Sequence, residues 1–129
     1  MPETFTHDID VQFRDLDTRV HVNHVVYASY FEHAKERLYE EVLGVSLAES
    51  PTVVRSLNVE YRDSIPPDST VTAELSPISV GKSSLTIDYE LRVDGDVVAT
   101  GQTVSVYLDE DGRPTAIPDA WRDALDGYA

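Results

Sequence analysis

A change of hydrophobic period between residues 13 and 24 constrains this chain more than any other feature. Phe5, His7, Ile9, Val11 and Phe13 alternate with polar residues, the period of a half-buried strand. From His24 to Leu43 the period lengthens. Tyr27, Phe31, Ala34, Leu38 and Val42 fall on one helical stripe, while Glu32, Lys35, Glu36, Arg37 and Glu40 lie mostly off it. Asn23 stands where an N-cap is wanted, and Gly44 where a left-handed C-cap is expected.

Four more strands follow. Val53 to Tyr61 carries Val53, Leu57, Val59 and Tyr61 in alternation, and Pro66-Pro67-Asp68 turns the chain. Thr70 to Ser76 places Val71, Ala73 and Leu75 on one face, and Gly81-Lys82 breaks the run. Ser84 to Val93 alternates throughout, and Asp94-Gly95 is a two-residue hairpin signal. Val97 to Leu108 is apolar on both faces, as a central or interface strand would be, and Pro118 to Leu125 suits a short terminal helix. At 129 residues the chain reads as one α+β domain spanning 1–129, a long helix packed on a five-stranded antiparallel sheet. Open sheet edges must be covered or paired, so a homodimer or homotetramer is expected.

Charge narrows the partners. Twenty-four Asp and Glu oppose ten basic residues, giving a net charge of −14. Such a surface repels nucleic acid and anionic membranes, which are bound chiefly through Lys and Arg. Cysteine is absent, which removes disulfides, thiolate metal sites and a thiol nucleophile. No apolar run reaches the length of a membrane span, and no basic residue precedes Arg14, so a cytoplasmic location is expected. The acidity fits an ordinary acidic protein or, as the favoured reading, a halophilic one. In molar salt the Debye length shrinks to about 3 Å, which screens the self-repulsion of so many carboxylates.

Between the first strand and the long helix lies the most chemical part of the chain. Asp15-Leu16-Asp17 is followed by His21-Val22-Asn23-His24 and then Tyr27. A carboxylate beside a helix start faces unpaired backbone N–H groups and the positive end of the helix dipole. On spacing alone, Asp17 reads more readily as a turn residue before a helix than as a catalytic one. His21, Asn23 and His24 lack an inward-facing ligand pattern, so no metal site is expected.

The order of elements, with Asp-x-Asp-x-x-x-His-Val-Asn-x-x-x-Tyr bridging strand and helix, resembles the hotdog-fold acyl-CoA thioesterases of the 4-hydroxybenzoyl-CoA thioesterase type. Phe31-Glu32, Leu43-Gly44, Val59-Glu60-Tyr61, Asp94-Gly95, Ala99-Thr100-Gly101 and Gly112-Arg113-Pro114 extend the likeness over almost the whole chain. The resemblance implies a sheet wrapped around one long helix, with Asp17 as the catalytic carboxylate. It also implies that the backbone N–H of residue 24 meets the thioester oxygen. Two positions depart from the pattern: Val20 replaces the usual glycine, and His24 replaces a second asparagine. A histidine there is similar to the thioesterases of the Tol–Pal cell-envelope system, which implies a part for His24 in catalysis. Lys35 stands in place of a frequent arginine.

Thioester hydrolysis needs a nucleophile or general base, a site for the oxyanion, and a grip on the carrier. Asp17 can attack the carbonyl or activate water, and both routes stay open. Asn23 and Tyr27 are candidate substrate contacts, and Tyr30 a candidate wall of the acyl pocket. Lys82 and Ser83 resemble the family's nucleotide-facing segment, and Arg55 and Arg92 are further candidates for the phosphates of coenzyme A. No separate cofactor is implied, because coenzyme A is part of the substrate. The competing readings are a non-catalytic module that binds acyl-CoA and, more distantly, a hydratase. The halophilic reading carries its own test. The melting temperature should fall clearly between molar and millimolar KCl, and an unchanged value refutes it.

Overall fold

The computed structural model describes residues 3–129, and its strands form one antiparallel sheet. In chain order they are β1 (Phe5–Asp10), β2 (Thr52–Tyr61), β3 (Thr70–Val80), β4 (Ser84–Val93) and β5 (Asp96–Tyr107). Their order across the sheet is β1-β3-β4-β5-β2, so β1 and β2 are the two edges. Helix α1 (Val26–Leu38) covers one face, and a short α2 (Asp119–Leu125) closes one end. Among the described residues no helix is long and apolar enough to cross a membrane.

The buried stripe of α1 is Tyr27, Tyr30, Phe31, Ala34, Lys35 and Leu38, the three- and four-residue spacing of one helical face. Phe31 is the deepest contact. Its ring stacks on Tyr89 with centroids 4.4 Å apart, and it lies over Gly101 of β5. A Cβ at position 101 would collide with the Phe31 ring and with the Asn58 carbonyl, so helix and sheet meet there at a separation only glycine permits. The Tyr89 hydroxyl, raised well above its ordinary pKa by burial, remains protonated and hydrogen-bonds Thr103 Oγ1 at 2.8 Å.

Lys35 belongs to this buried face, not to the solvent side expected for it, and is 2% exposed. Its position eight residues after Tyr27 keeps it on the stripe. The aliphatic stem packs under the helix while Nζ reaches Ser105 Oγ at 3.5 Å and Glu32 at 3.3 Å. Tyr39 is fully buried too, with its ring edge on Trp121 of α2. The last helical turn widens over Tyr39–Leu43 into a π-helix, and Gly44 ends it at φ 69°, the expected left-handed cap.

Strand boundaries shift for local reasons. β1 stops at Asp10 because Gln12 opens a turn of 3-10 helix, Phe13–Asp15, in which the Gln12 N–H donates to Asp15 Oδ2 at 2.8 Å. Phe13 therefore leaves the alternation and stands 91% exposed. β3 runs on past Ser76 through a bulge between Leu75 and Ile78, which accommodates Pro77. The β4–β5 hairpin turns at Asp94 and Gly95, both at positive φ, as that dipeptide favours.

β5 lies inside the sheet between β4 and β2, consistent with its two apolar faces. β2 does not: eight of its ten residues are exposed. Leu57, Val59 and Tyr61 pair with Thr103, Gly101 and Ala99, so they share the helix-facing side. Yet α1 does not reach across them, and Leu57 and Tyr61 each remain 49% exposed.

β1 and α1 are joined by a histidine pair, with His7 Nε2 3.1 Å from His33 Nδ1. One ring must donate and the other accept. Burial, then the nearby His33 and Arg37, hold His7 below the usual histidine value, against weaker raising from Glu41 and Asp8. The folded state thus binds protons less readily than the unfolded chain. The associated stability is complete above about pH 6.5 and is lost as pH falls below it. Wild type should lose melting temperature between pH 7 and 5.5, and His7→Asn should flatten that slope; parallel curves would remove the pair from the account.

Candidate active site

Asp17 opens a tight turn. The Val20 N–H donates to the Asp17 carbonyl at 3.0 Å, and the Asp17 N–H donates to the His21 carbonyl at 2.8 Å. The Arg19 N–H donates to Asp17 Oδ1 at 2.8 Å, the side-chain-to-backbone bond typical of Asp at the start of a turn. A bridge between Leu16 and Val22 closes the base of this loop. The carboxylate is thus aimed through one oxygen, and Oδ2 has no partner among the described residues.

Asp15, two residues earlier, points elsewhere. Its Oδ2 accepts from the Gln12 N–H and from the Tyr30 hydroxyl, each at 2.8 Å. Burial, and then the Asp15 carboxylate, raise the Tyr30 pKa far above its ordinary value, so the hydroxyl stays a donor. The Asp15 carbonyl also accepts from the Asn23 N–H at 2.8 Å, tying the strand exit to the helix start. Asp15 and Asp17 therefore divide their labour: the first braces the loop, the second faces open space.

The beginning of α1 differs from the expected cap. The helix begins at Val26, with Val25 at the N-cap, rather than at His24. Asn23 caps the preceding turn instead. Its Oδ1 accepts from the Val25 N–H at 3.0 Å, and its carbonyl accepts from the Val26 N–H at 2.9 Å. The His24 N–H has no protein acceptor among the described residues, whereas its neighbours on Asn23, Val25 and Val26 are all paired.

A cleft of about 420 Å³ joins these groups, lined by Asp17, Arg19, His21, Val22, His24, Tyr27, Tyr61, Arg62, Asp63 and Ser64. Tyr27 forms part of its floor. Its ring is buried, and its hydroxyl, held protonated chiefly by burial, donates to the Asp63 carbonyl at 2.9 Å. Tyr61 meets the Tyr27 ring edge-on at 4.9 Å and the His24 ring at 6.2 Å. His24 is exposed, free to turn toward a bound molecule. His21 contributes its backbone carbonyl to the turn, and its side chain is exposed.

Within one chain, Asp17, His24 and Tyr27 come together, and Asn23 supports them from behind. Arg55, Lys82 and Ser83 do not join them. Arg55 is the extra residue at the β2 bulge between Val54 and Ser56. The Ser83 carbonyl accepts from the Tyr107 N–H, and Tyr107 pairs with Thr52 at the start of β2, whereas Tyr61 at its end lines the cleft. At about 3.3 Å per residue that separates the two groups by roughly 30 Å. Arg92 is engaged by Glu74 and Glu90 on the outer sheet face. Among the described residues no cluster of three or more His, Asp or Glu side chains could hold a metal ion.

Tyr61, Arg62, Asp63 and Ser64 join the cleft with no local sequence signal, because they arrive from the far edge strand and its exit loop. Arg19 and Arg62 place two cations beside Asp17 and Asp63, so the cleft is close to neutral in a strongly acidic chain.

The thioesterase-like superfamily model matches residues 11–125. The chain belongs to the thioesterase-like superfamily. A Thermus thermophilus thioesterase, solved in complex with coenzyme A and zinc, is 32% identical. It superposes with a TM-score of 0.87 over 95% of this chain and 92% of its own. A predicted thioesterase from Bacillus stearothermophilus is 27% identical, with a TM-score of 0.88 over 98% and 96% of the two chains. The Bacillus subtilis protein YsmA is 26% identical over 125 residues, 95% of this chain and 85% of its own. The helix-wrapping antiparallel sheet is thus the hotdog fold of this superfamily.

This superfamily member carries Val20 at φ 61°, half exposed, in the left-handed region that a β-branched residue rarely occupies. Holding an L-residue there costs roughly 1–2 kcal/mol. Glycine avoids that cost but loses about 0.5–1 kcal/mol in chain entropy. Val20→Gly should therefore stabilise the protein by about 0.5–1 kcal/mol. That corresponds to a melting temperature higher by about 2–4 °C. A lower melting temperature would mean that the Val20 side chain makes a contribution this turn geometry does not explain.

Proposed function

We propose that this chain hydrolyses acyl-CoA thioesters, in the manner of the 4-hydroxybenzoyl-CoA thioesterase type, with Asp17 and the His24 N–H acting on the same carbonyl. The observation that carries this reading is their meeting in one cleft, a carboxylate oxygen without a partner and an N–H at the helix start without an acceptor. The carboxylate either accepts a proton from water as that water attacks, or adds to the carbonyl itself to form a mixed anhydride that water then opens. In both routes the carbonyl oxygen becomes negative, and a single well-aimed donor at that oxygen is worth roughly 100- to 1000-fold in rate. Collapse of the intermediate expels the coenzyme A thiolate, and the proton taken from water returns to it. The His24 imidazole lies on the cleft wall, where it can bond the substrate or relay that proton.

Coenzyme A as the carrier is supported by the Thermus thermophilus relative, which was solved with that molecule bound. The phosphate grip is supplied by a second copy of the chain. β2 leaves ten residues of backbone edge open, with Leu57 and Tyr61 half bare on the helix-facing side. Pairing two copies about a twofold axis normal to the sheet keeps both helices on one face and sets the two β2 strands antiparallel. The Tyr61 end of one then meets the Thr52 end of the other. This carries Arg55, Lys82 and Ser83 of the second copy toward the first copy's Asp17 cleft.

Thiol release from a panel of acyl-CoAs in molar KCl tests the reading. Asp17→Asn should fall by at least about 100-fold, as expected on losing an acid–base group. The active wild-type species should elute as a dimer or larger on the same preparation. Equal rates for wild type and Asp17→Asn would place the chemistry elsewhere, and binding without any turnover would make this a carrier module.

A further inference from the structure

The backbone groups flanking the His24 N–H, from the Asn23 N–H to the Val25 N–H, are occupied, and one of the bonds comes from a distant strand. The Tyr61 hydroxyl, at the end of β2, donates to the His24 carbonyl at 2.7 Å across 37 residues of sequence. The N–H of that same peptide, on Val25, donates to Asn23 Oδ1 at 3.0 Å. The preceding peptide has its carbonyl, on Asn23, tied to the Val26 N–H at 2.9 Å. Asn23 is in turn tied through its own N–H to the Asp15 carbonyl. Of the N–H groups of residues 22–26, that of His24 alone has no protein acceptor among the described residues.

We propose that Tyr61 is a positioning residue for the oxyanion donor: with Asn23 it clamps the His24–Val25 peptide at both ends and so sets the direction of the His24 N–H. The proposal rests on the hydrolytic reading of the cleft given above. Two features make Tyr61 suited to it. The His24 carbonyl lies one residue before the N-cap Val25, and among the described residues no backbone N–H donates to it. The ring is also fixed, edge-on to Tyr27, whose own hydroxyl is anchored on Asp63, so the donor arrives on a braced side chain. A catalytic donor acts through its aim. A misplacement of about 1 Å can cost roughly 100-fold, while substrate affinity, set by the rest of the molecule, changes little.

The clamp also couples the cleft to the open edge of the sheet. Tyr61 is the last residue of β2, so whatever orders that strand orders the peptide at the start of α1. Its 49% exposure shows that the ring is not buried core, and removing one hydroxyl should leave the fold intact.

The experiment uses full-length wild type, Tyr61→Phe and Asn23→Ala, with two readouts. In thiol release, Tyr61→Phe should lower kcat by roughly 10- to 100-fold with KM within about twofold, and Asn23→Ala should show the same split. In substrate-free NMR, Tyr61→Phe should shift the His24 carbonyl carbon and the Val25 amide nitrogen while leaving the Phe31 and Leu38 amides in place. Wild-type kcat in Tyr61→Phe, or unmoved His24 and Val25 resonances, overturns the proposal. The NMR arm separates the two ideas. A wild-type protein inactive on every acyl-CoA would sink the hydrolase reading and the catalytic role of Tyr61 together, while the shifts would still report whether the clamp exists. An active wild type with an unaffected Tyr61→Phe would sink the positioning role alone.

Discussion

The seat of Phe31 on Gly101 determines where everything else can lie. A helix laid on a sheet can slide or rotate unless something keys it. Here a ring stacked on Tyr89 enters a notch where the sheet has no side chain. Close packing of this kind tolerates little displacement, since even one methylene is felt in a protein interior. With Phe31 keyed, Tyr27 one turn earlier and Tyr30 just before it are placed as well, and each hydroxyl captures a loop. Tyr27 takes the Asp63 carbonyl from the β2 exit, and Tyr30 takes Asp15 from the β1 exit. The two loops that line the cleft are thus hung from the same helix face that makes the core.

From that arrangement follows a division of polar labour at the start of α1. Groups that could compete for a ligand are already engaged: Asp15 on two donors, Asn23 on Val25, the Tyr27 hydroxyl on a carbonyl. Among the groups that remain open are one Asp17 carboxylate oxygen and the His24 amide. Electrostatics at long range act against an anionic ligand, because the chain carries −14 overall. Arg19 and Arg62 offset the two acids of the cleft locally, and salt shortens the reach of the remaining field.

Much of this was legible in the sequence where local pattern and tertiary demand agree. The alternation of β4, the Asp94-Gly95 turn, the left-handed Gly44 and the stripe through Phe31 and Leu38 all depend on neighbours a few residues away. Asp17 could be nominated from its motif, and it does line a cleft. The failures have two causes, a local bond that overrides the hydrophobic period or a deciding partner that is distant. Phe13 continues the strand period but is diverted by the Gln12–Asp15 bond. Lys35 looks like a surface charge until Ser105, 70 residues away, receives it. Tyr61 reads as an ordinary strand-end aromatic, and only the approach of His24 gives its hydroxyl a task. The Lys82–Ser83 turn shows a further limit: motif likeness nominates it for the site, yet within one chain it lies at the opposite end of β2 from the Asp17 cleft.

The burial of Lys35 has a practical side. The chain has two lysines, and with Lys35 enclosed beneath α1 the folded protein presents one primary amine from a side chain, that of Lys82. Apart from the α-amino group, an amine-reactive dye or crosslinker thus meets a single address on the native surface, at the turn just before β4. The native chain is in this sense nearly ready for site-selective conjugation, and the address coincides with the stretch proposed to meet the nucleotide.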